Sequence, residues 1–497
     1  MPDPRAADPV PRWQRSAWLL ATVALWVLAT TGTRALLLPD EGRYAAIAYG
    51  MLHGDLLVPR LNGLPFFHKP PLMYWIDAAA MRLFGVNEFG ARAAPLVGAL
   101  LMAWAMAYDL QRRTGARRAA LALGALATMP FFYFGAQYAN HDMLVAGLVT
   151  IAIVAGARAG EPDAPLRWVG AAWAAAALAV LAKGLIGIVL PALVLLPWLA
   201  WRRQWRALLR LVHPLGPALF ALVAVPWFAA MQARYPGFAE YFFVEQHLRR
   251  YAQGGFNNVQ PFWFYVAVLP LLTLPWSLAL VASRRRPADN PVVGFYAWWV
   301  LAVLLFFSLP RSKLVGYVLA ALGPFAALLA LAATRGTRTR AWRWGMVLGV
   351  LVCLFADVGI ARMRAPSQRD IGRVLAERMQ AGDRVVLVDA PFYDVPFYAR
   401  LAEPPIVLAD WNAPGFAARD DWRKELRDAA RFEPALGARL LWPLERTAEL
   451  GCGVARVWWV APRAWQPPAA AGLLTPVLRS RSAVLWQSAG RQGSGCP

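Results

Sequence analysis

The sequence predicts a polytopic α-helical membrane protein that carries a small α/β domain at its C-terminal end. Three observations predict this fold class. Of the 497 residues, 59% are hydrophobic and 16% are charged, whereas soluble domains average about 45–50% apolar and about 25% charged residues. Apolar segments long enough to cross a bilayer recur through the first 362 residues, and arginine clusters separate alternate segments. The chain from 363 to 497 has a more polar, strand-and-helix pattern.

Eleven segments are candidate spans, each close to the length of about 20 residues that a spanning helix needs. Segments broken by Pro extend the expected number to about 11–13. The first segment is too long for a cleaved signal peptide and has no small-residue cleavage site after it. The candidate spans are 17–38, 92–110, 117–135, 142–158, 167–183, 185–201, 208–231, 261–282, 291–309, 314–334 and 342–362.

The arginines predict the orientation. They cluster at the N-terminus and in alternate connections between the spans, so the positive-inside rule predicts a cytoplasmic N-terminus and a periplasmic C-terminal domain. The same clusters account for most of the net charge of +22. Anionic lipid headgroups are therefore the expected partner of this charge, and a nucleic acid is not required.

The predicted organisation is a transmembrane domain over 1–362 and a soluble periplasmic α/β domain over 363–497. Periplasmic loops at 39–91 and 232–260 are rich in aromatic residues, Pro and charges, as expected for segments that lie on a membrane surface and line a cavity. The α/β domain has predicted helices at 368–379 and 420–432 and strands at 385–388, 406–408, 454–460 and 483–486. It has no Gly-rich phosphate loop, and whether Cys452 and Cys496 pair is left open.

Polar clusters lie at the predicted outer ends of the spans. The adjacent carboxylates of Asp40 and Glu41 would be costly at a membrane boundary unless they are paired or used, although Asp40 could instead cap a helix that begins at Glu41. The other clusters are Phe66-Phe67-His68-Lys69-Pro70-Pro71-Leu72 with Tyr74, Asn140-His141-Asp142, and Glu245, His247, Arg249 and Arg250 with Arg311, Ser312, Lys313 and Tyr317.

Lysine usage singles out individual positions. Of the 51 basic residues only four are Lys and 47 are Arg. Lys69, Lys183 and Lys313 lie at predicted outer ends of spans, and the fourth, Lys424, lies in the tail. Because an ammonium is a compact charge that the planar guanidinium does not reproduce, we expect that Arg cannot replace Lys at the first three positions.

Several of these motifs together resemble the bacterial lipid A aminoarabinose transferases and the wider protein-mannosyltransferase-like membrane glycosyltransferases of the GT-C class. The resemblance covers about residues 1–325 in motif order and rests on the set rather than on any one motif. The motifs are Asp40-Glu41 after the first span, Phe67-His68-Lys69-Pro70-Pro71-Leu72, Gly85-Val86-Asn87-Glu88-Phe89-Gly90-Ala91-Arg92, Leu181-Ala182-Lys183-Gly184, Glu245-Gln246-His247, and Phe306-Phe307-Ser308 followed by Ser312-Lys313-Leu314 and Tyr317.

The resemblance implies a GT-C fold and sugar transfer at the outer face of the inner membrane. It implies a polyprenyl-phosphate sugar as donor and lipid A, another lipid, a glycan or a protein as acceptor. The expected catalytic carboxylates are Asp40, Glu41 and Asp142. The expected donor-phosphate ligands are Lys69, Arg43, Arg249, Lys313 and Tyr317, and the other expected cavity residues are Tyr44, His68, Tyr74, Lys183, Glu245 and Arg311.

One position departs from the resembled family, which typically has Glu-Lys-Pro where this chain has His68-Lys69-Pro70. That Glu can take part in a metal site. Here no cofactor is required, but His68 and His247 remain candidate ligands of a zinc ion, because imidazole is a common zinc ligand. The change also leaves open which sugar is transferred.

The chemistry of an inverting transfer requires cations for the leaving phosphate and a carboxylate beside the sugar carbon. The main alternative is a transporter or flippase of lipid-linked sugars. That alternative predicts pseudo-symmetric broken helices and charges near the middle of the bilayer. The polar clusters at the span ends and the absence of an internal repeat favour the transferase.

Overall fold

The computed structural model describes residues 12–249, 258–282, 290–333, 339–362, 367–416, 421–451, 456–471 and 473–489. These residues are predominantly helical, with one six-stranded sheet near the C-terminus. The α-helices are α1 (Arg12–Leu28), α2 (Asp40–His53), α3 (Leu72–Phe84), α4 (Ala93–Thr114), α5 (Ala116–Ala127), α6 (Pro130–Ala136), α7 (His141–Ala159), α8 (Arg167–Lys183), α9 (Ile186–Trp201), α10 (Trp205–Leu211), α11 (Leu215–Arg234), α12 (Phe264–Leu272), α13 (Trp276–Ala282), α14 (Pro291–Ser308), α15 (Leu322–Ala332), α16 (Thr339–Arg362), α17 (Arg369–Arg378), α18 (Val395–Tyr398), α19 (Trp422–Ala430) and α20 (Pro434–Leu440). The strands are β1 (Arg60–Leu61), β2 (Leu64–Pro65), β3 (Arg384–Val388), β4 (Ile406–Ala409), β5 (Leu441–Pro443), β6 (Arg456–Pro462), β7 (Thr475–Arg479) and β8 (Ala483–Ala489), and the second predicted loop holds a π-helix at Glu240–Arg249.

Every predicted span coincides with helical structure, but not every span is one long helix. Among the described residues, six helices are long and apolar enough to cross a membrane: Gly90–Thr114, His141–Ala159, Trp205–Arg234, Pro291–Ser308, Val315–Ala332 and Arg340–Arg362. The pair α5 and α6, bent by 70° at its break, would be a seventh. The predicted first span is helical only to Leu28, and the segment predicted at 261–282 is broken into α12 and α13. The number of eleven spans stays a prediction.

The chain divides into two compact units. The first, here called the helical unit, comprises Met1–Thr31, Pro95–Pro226 and Gln260–Asp357. The second, here called the mixed unit, comprises Gly32–Ala94, Trp227–Val259 and Val358–Pro497. Apart from Gln260, the described residues of both predicted loops, 39–91 and 232–260, therefore belong to the same compact unit as the C-terminal chain.

Small residues bring two helices of the helical unit close together. Gly98 of α4 lies against the backbone of Met143 and Leu144 in α7, and Gly147 of α7 lies against Gly98. A Cβ atom at either glycine would collide with backbone atoms of the other helix. Small residues at a helix contact allow the backbone approach and the van der Waals packing on which helix association in a membrane depends.

The mixed unit contains the six-stranded sheet, in the order β5-β4-β3-β6-β8-β7. Strands β3, β4, β5 and β6 are parallel, whereas β8 runs antiparallel to both β6 and β7. The predicted strands and the two predicted tail helices are present within a few residues of their expected ends. The short strand β5 and the edge strand β7 were not predicted from the sequence.

Burial on both faces explains the apolar strands of this sheet. Val385 and Leu387 pack with Ile371 of α17, and the alternating Val386 and Val388 pack on the opposite face. Parallel sheets covered on both faces have continuous apolar strands of this kind.

The chain order of the sheet reverses at β3, because β4 and β5 lie on one side of it and β6 on the other. In open α/β sheets the loops at the carboxyl ends of strands beside such a reversal are the usual location of functional groups. The loop that follows β3 contains Tyr393 and Asp394. Asp394 lies against Gly42 of α2, where an added Cβ atom would stand 2.9 Å from the Asp394 Cβ atom.

Asp394 is a buried carboxyl group with an incomplete set of partners. Its Oδ2 atom accepts hydrogen bonds from the Gln368 backbone N–H at 2.7 Å and from the Ser367 hydroxyl at 3.0 Å. Its Oδ1 atom is buried and has no partner among the described residues. Burial outweighs these hydrogen bonds and raises the pKa of Asp394 from 3.8 to about 6.

This raised pKa predicts a pH-dependent effect of Asp394→Asn. The folded protein holds the proton more tightly than the unfolded chain, so this stabilisation is present below pH 3.8 and is lost as the pH rises through about 6. The Asn variant cannot ionise, and its free energy of unfolding relative to wild type should rise by about 1 kcal/mol between pH 5 and pH 8. Thermal unfolding of both proteins at the two pH values measures this, and an equal difference at both would contradict it.

Candidate functional site

The first turn of α2 holds the predicted carboxylate pair. Pro39 occupies the N-cap position and no side chain caps the helix, so the alternative in which Asp40 caps a helix beginning at Glu41 is not observed. The Asp40 side chain is 39% exposed, and its Oδ1 atom lies 3.4 Å from Nη2 of Arg43, one turn further along. Asp40 is thus an accessible carboxylate with a single long ion-pair contact among the described side chains.

Glu41 lies in a different environment, because successive helix residues point about 100° apart. Its side chain is fully buried and pairs with two guanidinium groups, those of Arg34 at 2.7 Å and Arg92 at 2.8 Å. It also accepts a hydrogen bond from the Leu37 backbone N–H at 2.9 Å. This arrangement favours a structural role for Glu41 over the direct catalytic role that the sequence suggested.

Arg43 lies between two carboxylates. Its Nη1 atom donates to Oε1 of Glu425 at 2.7 Å, shorter than its 3.4 Å contact with Asp40. The Tyr393 hydroxyl donates to the other oxygen of Glu425 at 3.1 Å, and the Arg43 guanidinium lies 5.4 Å from the centre of the Tyr393 ring. Burial disfavours the charged form, but attraction to Glu425 outweighs it and raises the pKa of Arg43 above its ordinary value.

Glu425 was not predicted as a site residue, because it lies in α19 of the tail, where no catalytic cluster was recognised. A signal was present, however. Glu425 shares the buried face of the amphipathic α19 with Leu426 and Ala429. A carboxylate on such a face needs a cation or hydrogen-bond donors nearby.

The residues of the Phe66–Leu72 motif reach the same region of the mixed unit. The Nδ1 atom of His68 is 3.9 Å from Oε1 of Glu425, and the imidazole packs against the Phe66 ring at an interplanar angle of 36°, with ring centres 4.6 Å apart. Lys69 follows in a bend and is half-buried. Tyr74 is buried, and its ring centre lies 6.2 Å from that of Tyr44.

Within the described residues, no group of three or more His, Cys, Asp or Glu side chains is arranged to hold a metal ion. The predicted zinc pair cannot be placed, since the His247 side chain lies outside the described residues. The side chain of Arg249 and all of Arg250 lie outside them as well. Glu245 is in the π-helix and is half-buried.

A second cluster lies in the helical unit and joins three predicted residues. Lys183, at the end of α8, forms an ion pair with Asp142 in the first turn of α7. The Lys183 ammonium also lies 4.4 Å from the centre of the Tyr317 ring. Asn140 caps α7 by accepting from the Asp142 backbone N–H, and its amide donates to Oδ2 of Asp142 at 3.0 Å.

Gly316 makes room for this second cluster. A Cβ atom at Gly316 would collide with the Asp142 carboxylate. A small cavity bounded by Asp142, Lys183, Gly316 and Tyr317 extends between apolar side chains of α7 and α9. The cluster is therefore an ion pair of Asp142 and Lys183 at the polar end of an apolar cavity.

Lys313 is held by the backbone rather than by carboxylates. Its ammonium donates to the carbonyl oxygen of Gln260 at 2.9 Å and to that of Pro310 at 2.5 Å, and the residue is buried. Burial lowers the pKa of Lys313. Arg311 is exposed, and its backbone carbonyl accepts from the Gln260 N–H at 3.1 Å. These contacts favour a loop-closing role for Lys313.

Comparisons with known proteins agree with these features. The family model of dolichyl-phosphate-mannose-protein mannosyltransferases matches residues 68–229. The undecaprenyl phosphate-alpha-4-amino-4-deoxy-L-arabinose arabinosyl transferase of Pseudomonas paraeruginosa is 34% identical over 71% of this chain and 66% of the relative. The transferase of the same name from Pseudomonas aeruginosa is 36% identical over 64% of this chain and 59% of the relative. The chain thus spans about two thirds or less of the length of these relatives.

The crystal structure of ArnT from Cupriavidus metallidurans bound to undecaprenyl phosphate decides the fold. It superposes with a TM-score of 0.80 at 25% identity and covers 95% of this chain and 97% of its own. The chain has the GT-C fold of these arabinosyl transferases. The resemblance predicted from the sequence is confirmed, and the chain is a multi-pass membrane protein like ArnT.

The contacts of Lys313 predict that Lys313→Met will lower stability rather than donor affinity. Two half-buried carbonyl oxygens, those of Gln260 and Pro310, lose their donor, which costs about 1–3 kcal/mol. Thermal unfolding in detergent should show the loss, while the folded fraction should bind undecaprenyl phosphate as wild type does. Arg311→Met, at an exposed neighbour, is the control and should leave unfolding unchanged. Weaker lipid binding by Lys313→Met with wild-type unfolding would contradict this assignment.

Proposed function

We propose that this chain is an inverting glycosyltransferase that moves a sugar from undecaprenyl phosphate to lipid A or a related acceptor. The match to ArnT over nearly the whole chain supports the fold and the lipid carrier. The relatives named as aminoarabinosyl transferases support 4-amino-4-deoxy-arabinose as the first sugar to test. Lipid A as acceptor follows from the resemblance of the sequence motifs to the lipid A transferases.

The single observation that carries the proposal is the difference between the carboxylates of the α2 turn. Glu41 is fully buried and occupied by Arg34 and Arg92, whereas Asp40 is 39% exposed and has one long contact with Arg43. An accessible carboxylate fixed by a helix suits the stabilisation of a positive sugar carbon. Carboxylates generally perform this role when glycosidic bonds are broken.

In the proposed reaction an oxygen of the acceptor attacks the anomeric carbon from the face opposite the donor phosphate. The bond between that carbon and the phosphate oxygen breaks as the new bond forms, and undecaprenyl phosphate leaves with the electron pair. Asp40 stabilises the oxocarbenium-like carbon. An acceptor phosphate is already ionised and needs no base, whereas for a hydroxyl acceptor Asp40 would take the proton.

The leaving phosphate needs preorganised cations as its charge develops. We assign this role to Lys69, which belongs to the same compact unit as Asp40, with Arg249 as a further cation. No metal is required in this proposal.

The transfer is tested by Asp40→Asn with labelled undecaprenyl-phosphate aminoarabinose and lipid A in detergent. Loss of the charge beside the sugar carbon should lower kcat by at least about a hundredfold. Glu449→Gln is the matched control, because Glu449 forms an i,i+3 pair with Arg446 and is similarly exposed. Near-normal turnover by Asp40→Asn would remove the catalytic role. Lipid movement without transfer by wild type would favour the flippase.

The arginine distribution predicts the orientation in the inner membrane: a cytoplasmic N-terminus and a periplasmic C-terminal domain. Alkaline phosphatase fused after the C-terminal domain should be active, and the same enzyme fused after Arg202, between α9 and α10, should be inactive. The reverse pattern would place the proposed site on the wrong side for a periplasmic transfer.

A further inference from the structure

Among the described residues of the mixed unit, two triads of Arg, Glu and Tyr occur, and one of them includes Arg43 of the α2 turn. Arg43, Glu425 and Tyr393 form the first triad. The second triad has the same composition: Arg60 contacts Glu433 at 2.6 Å and 2.9 Å, and the Tyr235 hydroxyl donates to Glu433 at 2.7 Å. Arg43 differs from Arg60 in having a second carboxylate, that of Asp40, within ion-pair distance.

Glu425 competes with Asp40 for the same guanidinium. Arg43 lies 2.7 Å from Glu425 and 3.4 Å from Asp40, so the shorter, charge-assisted hydrogen bond goes to Glu425. Glu425 is itself held, since the Tyr393 hydroxyl donates to it and the residue is 9% exposed in the middle of α19. Arg43 is thereby kept from a close pair with Asp40.

We propose that Glu425 is a positioning residue that holds Arg43 away from Asp40, so that the α/β sheet region keeps the catalytic carboxylate available. The expected loss of kcat rests on the proposed function, whereas the expected movement of Arg43 onto Asp40 does not. In the described part of the chain, Glu425 and Asp40 are the two carboxylates within 4 Å of Arg43. With the charge of Glu425 removed, the desolvated guanidinium keeps Asp40 as its ionic partner and should move onto it.

Carbodiimide labelling of carboxyl groups, read at Asp40 by peptide mass spectrometry, tests this directly. Glu425→Gln should lower the labelling of Asp40 by about threefold, because a close Arg43 partner shields it. The double variant Glu425→Gln with Arg43→Gln should restore the labelling, because the cation is gone. General loosening of the fold would raise the labelling of Asp40 instead, so unchanged or increased labelling in Glu425→Gln overturns the proposal.

Kinetics supply the second measurement. Glu425→Gln should lower kcat by about tenfold through misplacement of the reacting groups, with the KM for the donor lipid within about threefold of wild type. Glu433→Gln removes the same charge from the matched triad and should leave both constants unchanged. An equal loss of kcat in the two variants overturns the positioning role.

The outcomes separate this inference from the proposed function. A wild-type protein without transferase activity would contradict the function, while the labelling of Asp40 would still decide the role of Glu425. Should Glu425→Gln not fold, Tyr393→Phe removes only the hydroxyl that holds Glu425 and should shift Asp40 labelling in the same direction by a smaller factor. Wild-type labelling in that variant would then overturn the proposal.

Discussion

The buried carboxylate of Glu41 is the constraint on which the α2 turn depends. A buried charge needs compensation, and removing one partner of such a pair typically costs about 3–5 kcal/mol. Arg92 meets the need by donating to Glu41 and also to the backbone carbonyls of Arg34 and Ala35. The chain that precedes α2 is thereby tied to the chain that precedes α4. Asp40 lies on another face of the same helical turn, so the contacts of Glu41 with Arg34 and Arg92 also hold the backbone that carries Asp40.

The adjacent carboxylates of Asp40 and Glu41 show which features of the site could be predicted from the sequence and which could not. Two acidic residues at the end of a span indicate use or pairing. Glu41 is paired with two arginines, and the use of Asp40 stays a proposal. Which carboxylate is accessible depends on the starting point of α2 and on Arg92, which lies 51 positions after Glu41. Glu425 is 382 positions after Arg43. No local pattern links residues so distant, whereas the apolar faces that bring them together are visible locally.

The predicted helices and strands show the same limit. The long apolar segments and the strands at 384–388 and 456–462 have hydrophobic patterns that predict the secondary structure found there. The missed strands are short or lie at an edge, and both β5 and β7 contain Pro, at Pro443 and Pro476. Proline lowers strand propensity except at edges and strand ends. The break between α12 and α13 contains Pro275, which has no backbone N–H, and the Thr273 and Ser277 hydroxyls donate to backbone carbonyls of α12 beside it.

The structure gives a physical explanation for lysine at two of the four positions, and the explanation differs between Lys313 and Lys183. At Lys313 the ammonium lies between two backbone carbonyls in a buried position, where a planar guanidinium would require more space and more acceptors. Lys183 places its charge both on Asp142 and over the ring of Tyr317. In both places the partners lie close to the ammonium group, so a compact cation fits there. At Lys313 and Lys183, the scarce lysines thus coincide with close contacts of the ammonium group, to backbone carbonyls in one case and to a carboxylate and an aromatic ring in the other.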